Sequence, residues 1–140
     1  MDKIIGLDLG SVTCGIAMSD TLGLIAHGVE TYRYKEGKYK SVAYYVKKMV
    51  DENNVHKIVL GLPKHMNGDL GIRAQISIDF KELLEKIMDV EVILVDERLT
   101  TVVAENQLIF ADVSRKKRKQ VIDKMAAVAI LQDYLDSQRR

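Results

Sequence analysis

The sequence predicts an α/β fold in which a mixed five-stranded sheet is flanked by helices. Three strand-like segments come first with no helical pattern between them, and helix-like and strand-like segments alternate after them. An antiparallel meander followed by alternating α and β units gives a sheet with both antiparallel and parallel strands. We expect a single domain over residues 1–140, because no linker or low-complexity tract divides the chain.

The opening meander is predicted from residues 4–8, 13–19 and 24–32. In the second of these segments apolar residues alternate with small or polar ones, which is typical of a strand, and the third segment is less regular. Only a short turn containing Gly10-Ser11 separates the first two segments, so we expect them to form a hairpin.

Helices and buried strands are predicted to alternate in the rest of the chain. Apolar residues at helical spacing indicate a helix over residues 39–52 and a second one around residues 76–87. Apolar runs over residues 57–60 and 92–95 indicate two further strands.

The remaining segments are predicted from turn and cap signals. Pro63 and Asn67-Gly68 favour a loop over residues 62–71. A third helix is expected to begin near Thr100-Thr101, where either threonine could cap it. A last helix is expected to carry residues 121–135, which completes the order βββαβαβαα.

The distribution of charge is more informative than its sum. The formal net charge is only +1, but five consecutive cations form one unbroken basic run: Arg115, Lys116, Lys117, Arg118 and Lys119. Such a run fits phosphate binding or an exposed loop equally well.

Cysteine content and the N-terminal sequence limit the compartment. Cys14 is the sole cysteine, which excludes an intrachain disulfide and suits a reducing compartment. The sequence shows neither a signal-peptide pattern nor an apolar run of membrane-spanning length, so we expect a cytoplasmic protein.

The first candidate site residue is Asp8, at the end of the first apolar strand. The alternation of a strand puts it on the same face as Ile4 and Gly6. A carboxylate there is costly to bury unless it is paired or binds a metal, and the glycines at 6 and 10 would let a phosphate approach. The alternative is an aspartate that hydrogen-bonds its own turn.

Two further acids occupy comparable positions. Asp96 and Glu97 follow the strand at residues 92–95, and adjacent strand residues face opposite ways, so only one of them can share a face with Asp8. Asp123 lies in the last helix in line with Ala126, Ala127 and Ile130, on the border of the face that packs on the sheet. The alternatives are an exposed acid pair and a favourable acid in a first helical turn.

Acids from three separate elements can converge in such a fold. Carboxylates are the ligands that Mg²⁺ and Mn²⁺ prefer. Two such ions about 3.5–4 Å apart would activate a water and stabilise the leaving oxygen of a phosphodiester.

Four motifs, in order along nearly the whole chain, resemble those of the YqgF/RuvX family. The first is Gly6-Leu7-Asp8-Leu9-Gly10-Ser11 with the segment at 15–20, and the second is Val59-Leu60-Gly61-Leu62-Pro63 with Arg73-Ala74-Gln75. The third covers residues 95–101, and the last is Ile122-Asp123-Lys124-Met125-Ala126-Ala127 with residues 130–135. Val12-Thr13 stands where members often carry a basic pair, which leaves one phosphate contact in doubt.

The resemblance implies an RNase H-like fold and a metal-dependent nuclease with Asp8, Glu97 and Asp123 as catalytic residues and ligands for Mg²⁺ or Mn²⁺. We assign nucleic-acid binding to Arg98 and to the five cations of the basic run. The family is described as pre-16S rRNA processing nucleases and as Holliday junction resolvases. We favour maturation of the 5′ end of precursor 16S rRNA and keep cleavage of branched DNA as the alternative.

Two other classes of protein are alternatives to a nuclease. An actin-like or sugar-kinase-type nucleotide-binding domain shares the strand–Asp–Gly opening, but such proteins need two domains and this chain supplies one. A nucleic-acid-binding module without catalysis conflicts with three bare carboxylates, which repel phosphate unless a metal intervenes. Each apolar stripe is expected to be used in packing a helix on the sheet, so we expect a mainly monomeric protein. The mixed Tyr/Lys surface of residues 32–40 could support only a weak contact, and hence at most a weak dimer.

Overall fold

The computed structural model describes residues 2–62, 68–96 and 115–139, and for residues 68–70 and 115–123 it describes the backbone alone. Within these ranges lie five strands and three helices. In chain order they are β1 (Ile4–Leu9), β2 (Thr13–Ser19), β3 (Ala26–Arg33), α1 (Tyr39–Asn53), β4 (Lys57–Leu62), α2 (Gly68–Ile87), β5 (Glu91–Asp96) and α3 (Arg115–Ser137).

The strands form one sheet in the order β3-β2-β1-β4-β5. β1, β2 and β3 pair antiparallel, whereas β4 pairs parallel with both β1 and β5. The predicted mixed sheet is therefore confirmed. We call the end of the sheet at which β1, β4 and β5 finish its carboxyl end, and the end at which they begin its amino end.

Each face of the sheet buries one apolar cluster. Ile5, Leu7 and Leu60 belong to the larger cluster, which also contains the apolar sides of α1 and α2. Ala17 and Val59 belong to the smaller cluster, which contains the buried side of α3. Alternation along β1 follows from this arrangement, because successive strand residues point to opposite faces.

α3 packs directly against β1 at Gly6. A Cβ atom added to Gly6 would lie 2.7 Å from the Cβ of Leu131 and 3.1 Å from the carbonyl oxygen of Ala127. The Lys57 ammonium, at the start of β4, lies 3.3 Å from the Tyr134 hydroxyl. Later residues of α3 thus lie nearer the amino end, and the helix runs antiparallel to β1.

Two helix boundaries differ from those predicted. α2 begins at Gly68, so the expected loop over residues 62–71 was wrong for its last residues. Glycine lowers helix propensity by only about 1 kcal/mol, which the rest of a long helix readily offsets. The last helix begins at Arg115 rather than near Val121, since Lys and Arg are good helix formers even where the helix dipole opposes them. The helix expected near Thr100-Thr101 lies outside the described residues.

Some apolar side chains are exposed outside the regular faces of the helices and strands. Leu22 and Ile25 are 62% and 55% exposed in the hairpin between β2 and β3, and Leu24 and Val29 are exposed as well. Periodicity could not reveal them, because they lie in a turn and at a bulge rather than on a regular face.

Helices long and apolar enough to span a membrane do not occur in the described ranges.

Candidate active site

Asp8 lies near the carboxyl end of β1, on the sheet face that α3 covers. It is half-buried, and the side chains flanking it on this face are small. Its antiparallel partner is Gly15 on β2, and Gly6 precedes it on the same face. The sequence predicted that Gly6 and Gly10 would leave open space, but α3 fills the space over Gly6, where an added Cβ would lie 2.7 Å from the Cβ of Leu131.

The backbone of α3 carries position 123 toward the same end of the sheet. Ala127 and Leu131 lie over Gly6, and Asp123 is one turn earlier in the same row of the helix. One helical turn and two strand residues each advance by about 5–7 Å. Because α3 runs antiparallel to β1, position 123 and Asp8 lie at the same level. The backbone at position 123 therefore lies toward the same end of the sheet as Asp8, and a shared site of the two side chains stays a prediction.

The third predicted ligand, Glu97, directly follows the last described residue of β5. β5 ends at Asp96, so Glu97 and Arg98 lie outside the described residues. Val95 packs with the α3 cluster and Leu94 with the opposite cluster. Alternation therefore puts Asp96 on the face away from Asp8.

The basic run is helical rather than an exposed loop. Its backbone forms the first turns of α3 at the carboxyl end, which corrects the loop alternative left open by the sequence. The side chains of these five residues lie outside the part that the structure describes, so their assignment to nucleic-acid binding stays a prediction: Arg115, Lys116, Lys117, Arg118 and Lys119. Consecutive helical positions are about 100° apart, so these five are distributed around the whole helix rather than along one face.

The donor chemistry here suits a hard divalent cation. The half-buried Asp8 carboxylate offers the oxygen ligands that Mg²⁺ and Mn²⁺ prefer. Among the side chains that the structure describes, no group of three or more His, Cys, Asp or Glu residues could hold a metal ion. Asp8 is the only one of the three predicted ligands whose side chain belongs to that part.

Two side chains hold the turn that follows Asp8. The Arg73 guanidinium on α2 donates to the Leu9 carbonyl at 2.7 Å, and the Tyr34 hydroxyl donates to the Gly10 carbonyl. The backbone N–H of Tyr34 also donates to the Val12 carbonyl at 2.8 Å. The backbone next to Asp8 is therefore fixed from two other elements. Neither role was assigned from the sequence, although Arg73 lies in the second motif.

Tyr34 acts as a hydrogen-bond donor under all ordinary conditions. Its side chain is buried, and burial raises the pKa of its hydroxyl well above the ordinary value. A tyrosine in this state stays protonated and keeps its donor bond to Gly10 across the pH range in which nucleases work.

We expect Tyr34→Phe to destabilise the protein by about 1–3 kcal/mol, because it leaves a carbonyl at the Gly10 turn without its donor. The midpoint of chemical denaturation measures this loss. Tyr44→Phe is the matched control, since Tyr44 is 57% exposed on α1. Equal midpoints for the two variants would show that the Tyr34 hydroxyl does not hold the turn.

Comparison with known protein families shows which family this chain belongs to. The family model described as RuvX, Holliday junction resolvase, matches residues 2–137. The chain belongs to the RuvX family. The family resemblance of the four sequence motifs is thereby confirmed.

Relatives of this RuvX-family chain match it over almost its full length. A protein of Geobacillus sp. (strain WCH70) named "Putative pre-16S rRNA nuclease" is 53% identical over 137 residues, which covers 98% of this chain and 99% of that protein. A Listeria monocytogenes protein of the same name is 54% identical over 135 residues, covering 96% and 98%.

The fold of this RuvX-family chain is also found in a solved resolvase structure. RuvC of T. thermophilus, in complex with a Holliday junction substrate, superposes with a TM-score of 0.64. The match covers 99% of this chain and 96% of RuvC, at 11% sequence identity. Such a likeness confirms the RNase H-like fold.

Proposed function

We propose that this protein is a metal-dependent endonuclease that cleaves phosphodiester bonds during maturation of the 5′ end of precursor 16S rRNA. The observation that supports the proposal is that Asp8 and the backbone of position 123 lie toward the same end of the sheet, on the same face. The names of the two relatives supply the substrate class. A single domain of residues 1–140 acting in the cytoplasm is part of the proposal, and the buried thiol of Cys14 suits a reducing compartment.

Asp8, Glu97 and Asp123 would hold the divalent ions. When bound, Mg²⁺ or Mn²⁺ supplies an activated water and charge stabilisation at the leaving oxygen. Asp8 orients the site from a strand whose following turn is fixed by Tyr34 and Arg73. Carboxylates held this rigidly lose little free energy to reorganisation during the reaction, which favours catalysis.

We propose single-strand cuts by a mainly monomeric protein. One three-acid site cuts one strand at a time, whereas resolving a four-way junction needs two sites related by a two-fold axis. The exposed apolar residues of the β2–β3 hairpin lie at the amino end, away from Asp8. A weak dimer through them would be compatible with single cuts.

A cleavage assay tests the proposed function directly. Purified protein is incubated with labelled precursor 16S rRNA fragments and with four-way DNA junctions, each with and without Mn²⁺. We expect metal-dependent cuts in the RNA. A tight dimer by light scattering, paired symmetric cuts in the junction and intact RNA would refute the rRNA assignment in favour of a resolvase.

We expect the basic run to contribute to substrate binding more than to the chemical step. Replacing its five cations (Arg115, Lys116, Lys117, Arg118 and Lys119) with glutamine should raise KM, leave kcat nearly unchanged and weaken the salt dependence of binding. Each lost phosphate contact should reduce the slope of log Kd against log salt by about 0.7 to 0.9. An unchanged slope in a salt titration would mean that the run makes no phosphate contact.

A further inference from the structure

A second basic surface lies between β3 and α1. Its cations, Arg33, Lys35, Lys38 and Lys40, are all exposed, and Glu36 is the only acid among residues 33–40. We call these four cations the β3–α1 basic surface. We propose that it binds the backbone of a single-stranded RNA as the strand leaves the site at Asp8. The inference rests on the proposed function and adds a substrate-binding surface to it.

The β3–α1 basic surface is fixed to the turn that follows Asp8. Arg33 pairs with Thr13 across the β2–β3 ladder, and the next residue, Tyr34, hydrogen-bonds to Gly10 and Val12. β3 lies two strands from β1, which is about 10 Å. An RNA strand with one phosphate at Asp8 therefore reaches this surface by crossing the exposed Ser11 at the top of the turn.

The four cations of this surface lie in solvent, and the ion pairs found between described residues do not include them. Lys35 and Lys38 bracket a turn closed by the Lys38 N–H donating to the Lys35 carbonyl at 2.9 Å, with Gly37 at a φ of 81°. By contrast, Lys47 and Lys81 on the helices each pair with an acid one turn on. Unpaired exposed ammonium groups are available to phosphate.

The charge of the β3–α1 basic surface differs from that of the amino end of the sheet. α1 begins beside Tyr34 at the carboxyl end and finishes at the amino end, where the Asn54 amide donates to Asp2 at 3.0 Å. Exposed acids collect at the amino end, before β1, at the end of α1 and around the start of β5: Asp2, Asp51, Glu52, Asp89 and Glu91. Exposed cations lie there as well (Lys48, Lys86 and Arg139), so the amino end carries charge of both signs, whereas residues 33–40 carry four cations and one acid.

The two basic segments lie on either side of the site. The first turns of α3, with the basic run, begin at the carboxyl end on the face that carries Asp8. The β3–α1 basic surface starts at the same end but leads to α1 on the opposite face. A strand cut at Asp8 would therefore be held on both sides of the scissile phosphate, which fixes its register for cleavage at one position.

A charge-neutralised variant tests this surface. Lys35→Gln, Lys38→Gln and Lys40→Gln are combined, and the control combines Lys48→Gln, Lys86→Gln and Arg139→Gln, three exposed cations away from the carboxyl end. Binding of a fluorescent single-stranded RNA is followed by anisotropy without divalent metal over a range of salt concentrations. Each phosphate contact on a single strand contributes about 0.7 to the slope of log Kd against log salt. We therefore expect this slope to fall by about 2 in the first variant and to stay at the wild-type value in the control.

The outcomes separate this inference from the proposed function. Equal slopes for the two triple variants overturn the inference, and so does a wild-type protein that does not bind RNA. A wild-type protein that binds RNA but never cleaves it refutes the nuclease proposal, while the slope comparison still decides the surface. A slope change seen with a four-way DNA junction and not with RNA overturns the assignment to RNA.

Discussion

Asp8→Asn, Glu97→Gln and Asp123→Asn are each expected to reduce cleavage by about a hundredfold to a thousandfold or more, with the fold intact. Removal of one preorganised electrostatic group from an active site typically has this effect. Each change keeps the size of the side chain and removes its charge. Single-turnover cleavage of labelled precursor rRNA in Mn²⁺ measures the rate, and thermal unfolding without metal should give equal or higher midpoints, because a repulsive acid is lost.

Two substitutions serve as controls for the acid variants. Asp133→Asn changes an exposed acid on the same helix as Asp123 and should leave cleavage unchanged. Asp96→Asn should be milder than Glu97→Gln, since Asp96 lies on the face away from Asp8. Full activity in Glu97→Gln together with complete loss in Asp96→Asn would reverse the assignment of the third ligand.

We expect Gly6→Ala, which adds one methyl group to β1, to lower both the stability of the protein and its rate of cleavage. The new Cβ would lie 2.7 Å from the Cβ of Leu131, whereas carbon atoms in contact prefer about 3.5–4.0 Å. α3 must move outward by about 1 Å, which costs about 1–3 kcal/mol of folding free energy. The same shift displaces position 123 from Asp8, and misplacement of this size can reduce a rate about a hundredfold.

Gly71→Ala is the matched control for Gly6→Ala. Its added Cβ would meet no atom within 4 Å, and Gly71 lies inside α2. Alanine in a helix interior is better than glycine by about 0.5–1 kcal/mol, so this variant should be slightly more stable than wild type. Denaturant unfolding and cleavage rates are compared for both. If Gly6→Ala matches Gly71→Ala in stability and rate, α3 does not need its close approach to β1.

Much of the architecture could be predicted because periodicity is a local signal. Residues 13–19 alternate cleanly and form β2 within the predicted bounds, and residues 39–52 match α1 to within one residue. Asp8 could be placed on the face of Gly6 by alternation alone. The row of Asp123 with Ala127 follows from helical spacing in the same way.

Contacts between distant segments could not be predicted from such patterns. Tyr34, which directly follows β3, and Arg73 on α2 both reach the Gly10 turn. Nothing in the spacing of either residue indicates a bond to a carbonyl far away in sequence. In the sequence, the mixed Tyr/Lys segment at residues 32–40 indicates only a surface for a weak contact. Its position beside the site follows from the fold.

The packing of α3 on β1 also determines when the site can form during synthesis. β1 ends at Leu9 and α3 begins at Arg115, so about a hundred residues must be added between them. At roughly 5–20 residues per second, this takes on the order of 5 to 20 seconds. Throughout that interval the nascent chain carries Asp8 without its helical partner. A ribosome translating this protein therefore holds no complete nuclease next to its own messenger RNA until α3 has been made.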